Sequence, residues 1–281
     1  MTGTEFEHWL RDEHRRPLVM GVLNVTPDSF SDGGRFATIG AAVQHGLEMA
    51  ADGADLIDIG GESTRPGSDP VPPEEQIRRV APVIQQLVDR VSALLSIDTT
   101  SSLVGSAAID AGAAIINDIS AGRDDPEMLP LAAARGVPII LMHMQGNPKT
   151  MQVGPVYQDV AAEVALFLHE RIEAAVAAGI HLDRILVDPG IGFGKALRHN
   201  LELLRHLSKI EALGRPMVVG VSRKKFIGTI TNEPEPAGRI FGSAAAVAWS
   251  VANGANIVRV HDVGPMLQVV KVIRAIGHGI D

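Results

Sequence analysis

The chain has 281 residues, with 25 Lys and Arg against 33 Asp and Glu, and its net charge of −8 at pH 7 lacks the basic field that nucleic acid or an anionic membrane needs. Cysteine is absent, which excludes disulfides, thiolate metal sites and cysteine nucleophiles, and fits a reducing cytoplasm. Hydrophobic residues reach 46% with only 4% aromatics, so small branched side chains carry the apolar content, and the densest apolar stretch, Ala244–Ala252, is too short to span a bilayer.

Residues 1–16 mix acidic and basic side chains, lack an apolar leader and read as an N-terminal extension; the domain is expected over 17–281. Eight short β-branched runs follow: Leu18–Val25, Asp55–Ile59, Leu94–Ile97, Ala114–Asn117, Pro138–Met142, Ile185–Val187, Met217–Val221 and Asn256–Val260. They read as continuous apolar runs, the pattern of parallel strands covered on both faces. Helical segments are expected between them, over 38–52, 74–91, 101–111, 125–135, 157–179, 197–213, 237–253 and 264–277. Successive βα units without a linker predict an α/β fold, a single (β/α)8 TIM barrel. A doubly wound open sheet would need a glycine-rich first turn, and none follows the first strand.

In such a barrel the active site lies at the C-terminal strand ends, although a lone Asp or Asn there often only caps the next helix. Here several unusual segments converge on that rim. The first, Gly21 to Gly34, carries Asn24, Asp28, Phe30 and Asp32. The second, Asp58 to Gly67, has paired glycines that permit close backbone approach to a ligand, with Thr64 and Arg65 beside them. Asp98, Asn117 and Asp188 follow the third, fourth and sixth strands, and two carboxylates with an amide suit a heterocycle presenting parallel N–H donors. Paired carboxylates also serve glycosidases, but that chemistry gives the nearby cations no role. Those cations stand in Gly220–Lys225 and at Arg259 and His261, which are two apart and so share one side of the last strand. Loops after strands seven and eight commonly hold phosphate in this fold, so an anionic leaving group is expected there.

Taken together and in order, Gly21–Gly34, Asp58–Gly67, Asn117–Ile119, Leu141–Pro148, Asp188–Lys195, Ser222–Lys224 and Arg259–Asp262 resemble the dihydropteroate synthases, a pterin-binding barrel family of folate biosynthesis. The resemblance covers residues 18 to 275 or so. It implies condensation of 6-hydroxymethyl-7,8-dihydropterin diphosphate with p-aminobenzoate, giving 7,8-dihydropteroate and diphosphate. It implies a pterin slot of Asp98, Asn117, Ile119, Met142, Asp188, Gly220 and Lys224, and a diphosphate site of Asn24, Arg259 and His261. Mg²⁺ would be the cofactor, held by Asn24 and diphosphate oxygens. The p-aminobenzoate pocket would take Phe30, Thr64, Arg65, Pro66, Phe193 and Ser222.

The chemistry implied is C–O cleavage first, with Asp98 and Asp32 stabilising the carbocation while Mg²⁺, Arg259 and His261 stabilise the departing diphosphate. Lys224 would donate to the ring, and the arylamine needs no strong base. Many family members carry a lysine three residues beyond the aspartate; Ser101 stands there in this chain and reads as a helix start. His143 reads as a structural residue of its strand end. The resemblance also suggests a homodimer through the apolar faces of 237–253 and 264–277, although packing onto the barrel claims those faces equally. The alternative is a methyltetrahydrofolate methyltransferase, which would share the pterin-edge acids without needing the Ser222–Lys224 cluster. A lyase would use Lys224 as a Schiff base. A barrel that binds pterin without turnover would leave Arg259 and His261 without purpose.

Overall fold

Strands and helices alternate through the computed structural model, which describes residues 1–26, 34–64 and 67–279, the side chains of 34–38 and His278 excepted. The strands are β1 (Leu18–Asn24), β2 (Leu56–Gly60), β3 (Leu94–Asp98), β4 (Ile115–Asp118), β5 (Ile139–Met142), β6 (Ile185–Asp188), β7 (Val218–Val219) and β8 (Ile257–Val260). The helices are α1 (Gly3–Arg11), α2 (Gly34–Ala51), α3 (Pro73–Leu87), α4 (Ser102–Asp110), α5 (Met128–Arg135), α6 (Val160–Ala177), α7 (Leu197–Arg205), α8 (Ser208–Glu211), α9 (Lys225–Thr231), α10 (Ile240–Ala252) and α11 (Val263–His278). Each strand pairs in parallel with its neighbour in the order β6-β5-β4-β3-β2-β1-β8-β7. A parallel bridge between Val187 and Met217 joins the two ends, so the sheet closes into the expected (β/α)8 barrel.

Side chains alternate across a strand, so residues two apart share a face. Leu18, Met20, Leu56, Ile115, Ile140, Leu186, Val218 and Ile257 form one buried cluster inside the barrel. The opposite parity, including Val19, Leu23, Ile57, Ile59, Leu95, Ile97, Ile116, Leu141, Val187, Val219 and Val258, belongs to a second cluster under the helices. Counting two residues on from the interior cluster reaches Asp58, Asn117, Met142, Asp188, Gly220 and Arg259. The inward faces are therefore apolar at the barrel floor and polar at its mouth.

The structure differs from the sequence reading in several elements. Residues 1–16 contain α1, opened by a capping box between Thr2 and Glu5. Its Phe6, Trp9 and Leu10 join the interior floor cluster, so the extension stoppers the end of the barrel opposite the polar mouth. The segment 197–213 divides into α7 and α8 at His206, whose backbone leaves the helical region at φ −116° and ψ 34°. β7 shrinks to two residues, with Met217 just before it making the closing bridge to Val187. The added helix α9 begins directly after Lys224, which occupies its N-cap. Ser101 stands at the N-cap of α4, as its reading as a helix start requires.

Candidate active site

One pocket opens at the strand ends, lined by Asp98, Asn117, Ile119, Met142, Asp188, Gly190, Ile191, Phe193, Gly220, Lys224 and Arg259. All seven residues expected in the pterin slot lie on it. Its polar floor is a chain of shared oxygens. The Arg259 guanidinium donates from Nε to Asp58 Oδ2 and from Nη2 to Asp98 Oδ2, both at 2.7 Å. Asn117 Nδ2 donates to the same Asp58 oxygen at 2.9 Å, which uses one of its two N–H donors and orients the amide oxygen, the side chain's acceptor. Asp58, at the centre of this network, carried no role in the sequence reading; its inward parity two residues before Gly60 was the available signal.

Burial raises the Asp98 carboxyl above the ordinary carboxylate range against the opposing pull of Arg259, and nearby Asp58 and Asp118 add to the rise. Burial also pushes Asp188 up to about 6, while the Gly190 N–H, Lys224 and Arg259 oppose it. That N–H donates to Asp188 Oδ1 at 2.7 Å. The turn requires glycine, since Gly190 has φ +66° and a Cβ there would meet the His143 carbonyl oxygen at 1.9 Å. Lys224 extends over the Phe193 ring, its Nζ 4.2 Å from the centroid. Burial and the Arg259 charge lower Lys224 to about 8, with Asp188 and Asp98 acting the other way. Burial disfavours the Arg259 charge, but Asp58 and Asp98 outweigh it and raise this cation above its ordinary value.

The walls are apolar. Ile119, Met142, Met144, Met151 and Phe193 form a separate buried cluster at the mouth, matching the flat faces of a heterocycle.

The remaining expected residues divide. Asn24 ends β1, and its Oδ1 gathers with Asp98 Oδ2 over Gly60, where a Cβ would lie 3.7 and 3.8 Å from those oxygens. His261 lines a second, neighbouring cavity with Arg223, Asp262, His45, Glu48, Met49 and Asp52. Its Nδ1 lies 3.2 Å from Ser222 Oγ, which also accepts its backbone N–H. Burial, reinforced by Arg259, Arg223 and Lys224, lowers His261 to about 3, so it stands here as a neutral hydrogen-bonding group rather than a cation. Arg223 takes φ +59° and pairs through two bonds with Asp262, so only Lys224 of the expected Ser222–Lys224 cluster reaches the pocket. Thr64 is half-buried on the loop after β2 and does not line the pocket. Phe30, Asp32, Arg65 and Pro66 lie outside the described residues.

His143 is structural, as read. Burial and the Lys195 charge hold it down at about 2, and Lys195, which had no assigned role, is buried against it.

A closed barrel with buried acids, an amide and cations facing an apolar-walled pocket at its strand ends defines an enzyme of a small heterocyclic substrate. The chain belongs to the pterin binding enzyme family, which matches residues 20–261. A dihydropteroate synthase of Synechocystis is 45% identical over 267 residues, covering 95% of this chain and 92% of the relative. The structure of Xanthomonas albilineans dihydropteroate synthase with 4-aminobenzoic acid superposes with a TM-score of 0.89 at 50% identity, covering 94% of each chain. The same enzyme in complex with 7,8-dihydropteroate gives 0.85 at 47% identity, again over 94% of each chain.

Proposed function

We infer that the chain joins 6-hydroxymethyl-7,8-dihydropterin diphosphate to p-aminobenzoate, releasing diphosphate and forming 7,8-dihydropteroate. The carrying observation is the convergence of Asp188, Asn117, Asp98 and Lys224 on one apolar-walled pocket. The Asp188 carboxylate accepts paired N–H donors from the aminopyrimidine edge. Asn117 and Asp98 meet the remaining ring nitrogens, and Lys224 donates to the ring. Ile119, Met142 and Gly220 bound the faces, and Phe193 extends the wall beneath Lys224.

Asn24 supplies a hard oxygen beside Asp98, which suits Mg²⁺. Among the described residues no group of three or more His, Cys, Asp or Glu could hold a metal, so Asn24 would hold the ion together with substrate oxygens. When bound, the ion offsets charge on the departing diphosphate. Arg259 faces that charge with its remaining N–H groups, while His261 offers a neutral donor whose proton affinity rises as the anion arrives. As the C–O bond breaks, the Asp98 carboxylate stabilises positive charge developing on the exocyclic methylene. The arylamine then attacks without prior deprotonation. A methyltetrahydrofolate methyltransferase would use the same acids but gives Arg259 and His261 no anion to meet.

A second copy is the partner expected for the apolar face of α10 and α11, where Phe241, Trp249, Val272 and Ile276 are exposed. No helix among the described residues is long and apolar enough to cross a membrane, and the cysteine-free chain suits the cytoplasm. The activity is tested by diphosphate release from the pterin diphosphate with and without p-aminobenzoate and Mg²⁺. Release should require both. Release indifferent to p-aminobenzoate would indicate a hydrolase, and none at all would overturn the reading.

A further inference from the structure

The loop from Asp188 to α7 carries three pocket residues beyond Asp188 that the strands cannot hold, Gly190, Ile191 and Phe193. It contains no regular structure, and Gly190, Gly192 and Gly194 all take positive φ. Left alone, such a loop would sample many conformations. Its carbonyls are instead pinned one by one. Gln152 donates to Gly192 O at 2.7 Å and Tyr157 to Gly194 O at 2.9 Å. The centre is Lys195, only 2% exposed. Its Nζ donates to Gly190 O and Phe193 O at 2.9 Å each, and lies 2.9 Å from His143 Nδ1.

A buried ammonium is costly unless its donors are matched. Among the described residues no carboxylate shares a hydrogen bond with it, and two of its three close partners are carbonyls of the very loop that carries Phe193. An apolar side chain would fill the same space without that cost but would hold neither carbonyl. Burial lowers Lys195 to about 7, and where it stands as the ammonium only its N–H can donate, so His143 accepts through Nδ1 with its ring proton on Nε2. The ring is held edge-on by Phe167 at 4.8 Å, and the His143 backbone N–H donates to Asp188 O at 2.9 Å. The β5 end, the β6 end and the loop are thus tied at one point.

We propose that Lys195 is a positioning residue of the pterin pocket, its ammonium folding the loop after β6 around itself so that Phe193 and Gly190 stand as a preformed wall, with His143 as its anchor. The inference rests on reading this pocket as the pterin slot. Lys195 touches no substrate; it reduces the ordering that ligand binding must otherwise supply.

The test measures 6-hydroxymethylpterin binding by calorimetry, steady-state kinetics and amide hydrogen exchange in the intact enzyme. Lys195→Met keeps the volume and removes the donors. The pterin Kd should rise about tenfold or more, the scale of a lost buried hydrogen bond, with the KM for the pterin diphosphate rising in step. Exchange should accelerate across 190–195 while the strand amides stay protected. His143→Leu should weaken pterin severalfold, and His143→Gln, which restores an acceptor, should recover most of it. If Lys195→Met does not fold, the His143 pair decides. Unchanged pterin affinity in folded Lys195→Met, or equal losses in His143→Leu and His143→Gln, would overturn the proposal. Failure of the unaltered enzyme to bind pterin would instead sink the pocket assignment.

Discussion

Asp188 and Lys224 line the same pocket, and burial moves them toward neutrality from opposite sides. For Asp188 the sign is direct. In the proposed function its ionised form accepts the paired N–H donors, and protonation would remove that capacity. Because burial raises it to about 6, pterin affinity should be lost as pH falls through 6, about tenfold per unit once the group is mostly protonated. Calorimetric titration of a pterin ligand from pH 4.5 to pH 7.5, both chosen to bracket that value, checks this; an affinity flat to below pH 5 removes Asp188 from the role. Replacing Asp188 with Asn should abolish the acid limb together with most of the affinity, since an amide nitrogen then faces a donor. The placement of such residues on one pocket was largely legible beforehand, because Asp98, Asn117 and Asp188 all stand at strand ends. What escaped was partnership. Asp58 binds Arg259 across 201 positions of sequence and Asn117 across 59, and no local pattern announces either. Lys195 and His143 are 52 apart for the same reason.

Elements were legible where packing repeats. Strand runs covered on both faces read as continuous β-branched segments, and a period of two then assigned each side chain to interior or exterior. Element ends were less so, because β7 is cut short where the chain turns at Gly220 toward the strained Arg223. The largest omission was α1. Phe6, Trp9 and Leu10 stand at helical spacing behind the Thr2–Glu5 capping box, yet a nine-residue helix is marginal alone and gains its stability from what it covers. Here that is the barrel floor. Trp9 is 6% exposed, stacks on Phe6 at 5.3 Å and donates to Arg16 O at 2.7 Å. Trp9→Ala should therefore cost about 3–5 kcal/mol, read as a lowered urea midpoint with an unchanged slope. The folded variant should retain full turnover, because the pocket opens at the other end of the barrel. A variant as stable as the parent would mean that α1 decorates the floor without closing it.

At the scale of the whole molecule, the net charge of −8 describes a surface, whereas Arg259 and Lys224 lie inside the rim and face buried acids. Composition could bound the partners but had no access to the site. The same holds for assembly. In α10, Phe241, Ala245 and Trp249 recur every four residues on one exposed face, and α11 adds Val272 and Ile276 at the same spacing. The inner faces of these helices already cover the barrel through Val247, Met266 and Val270, so the outer apolar stripe is surplus to folding the monomer. Phe241 is 86% exposed and Ile276 77%, a patch that a second copy would remove from water. Phe241→Asp places a charge in that patch without touching the core. Sedimentation or light scattering should then show a dimeric parent and a variant shifted to monomer, while the unfolding midpoint at low protein concentration stays close to the parent's. A monomeric parent, or a Phe241→Asp variant that dimerises as before, would place the contact elsewhere. Because the pocket lies at the barrel mouth and this stripe on the outer wall, the folded monomer should still bind pterin.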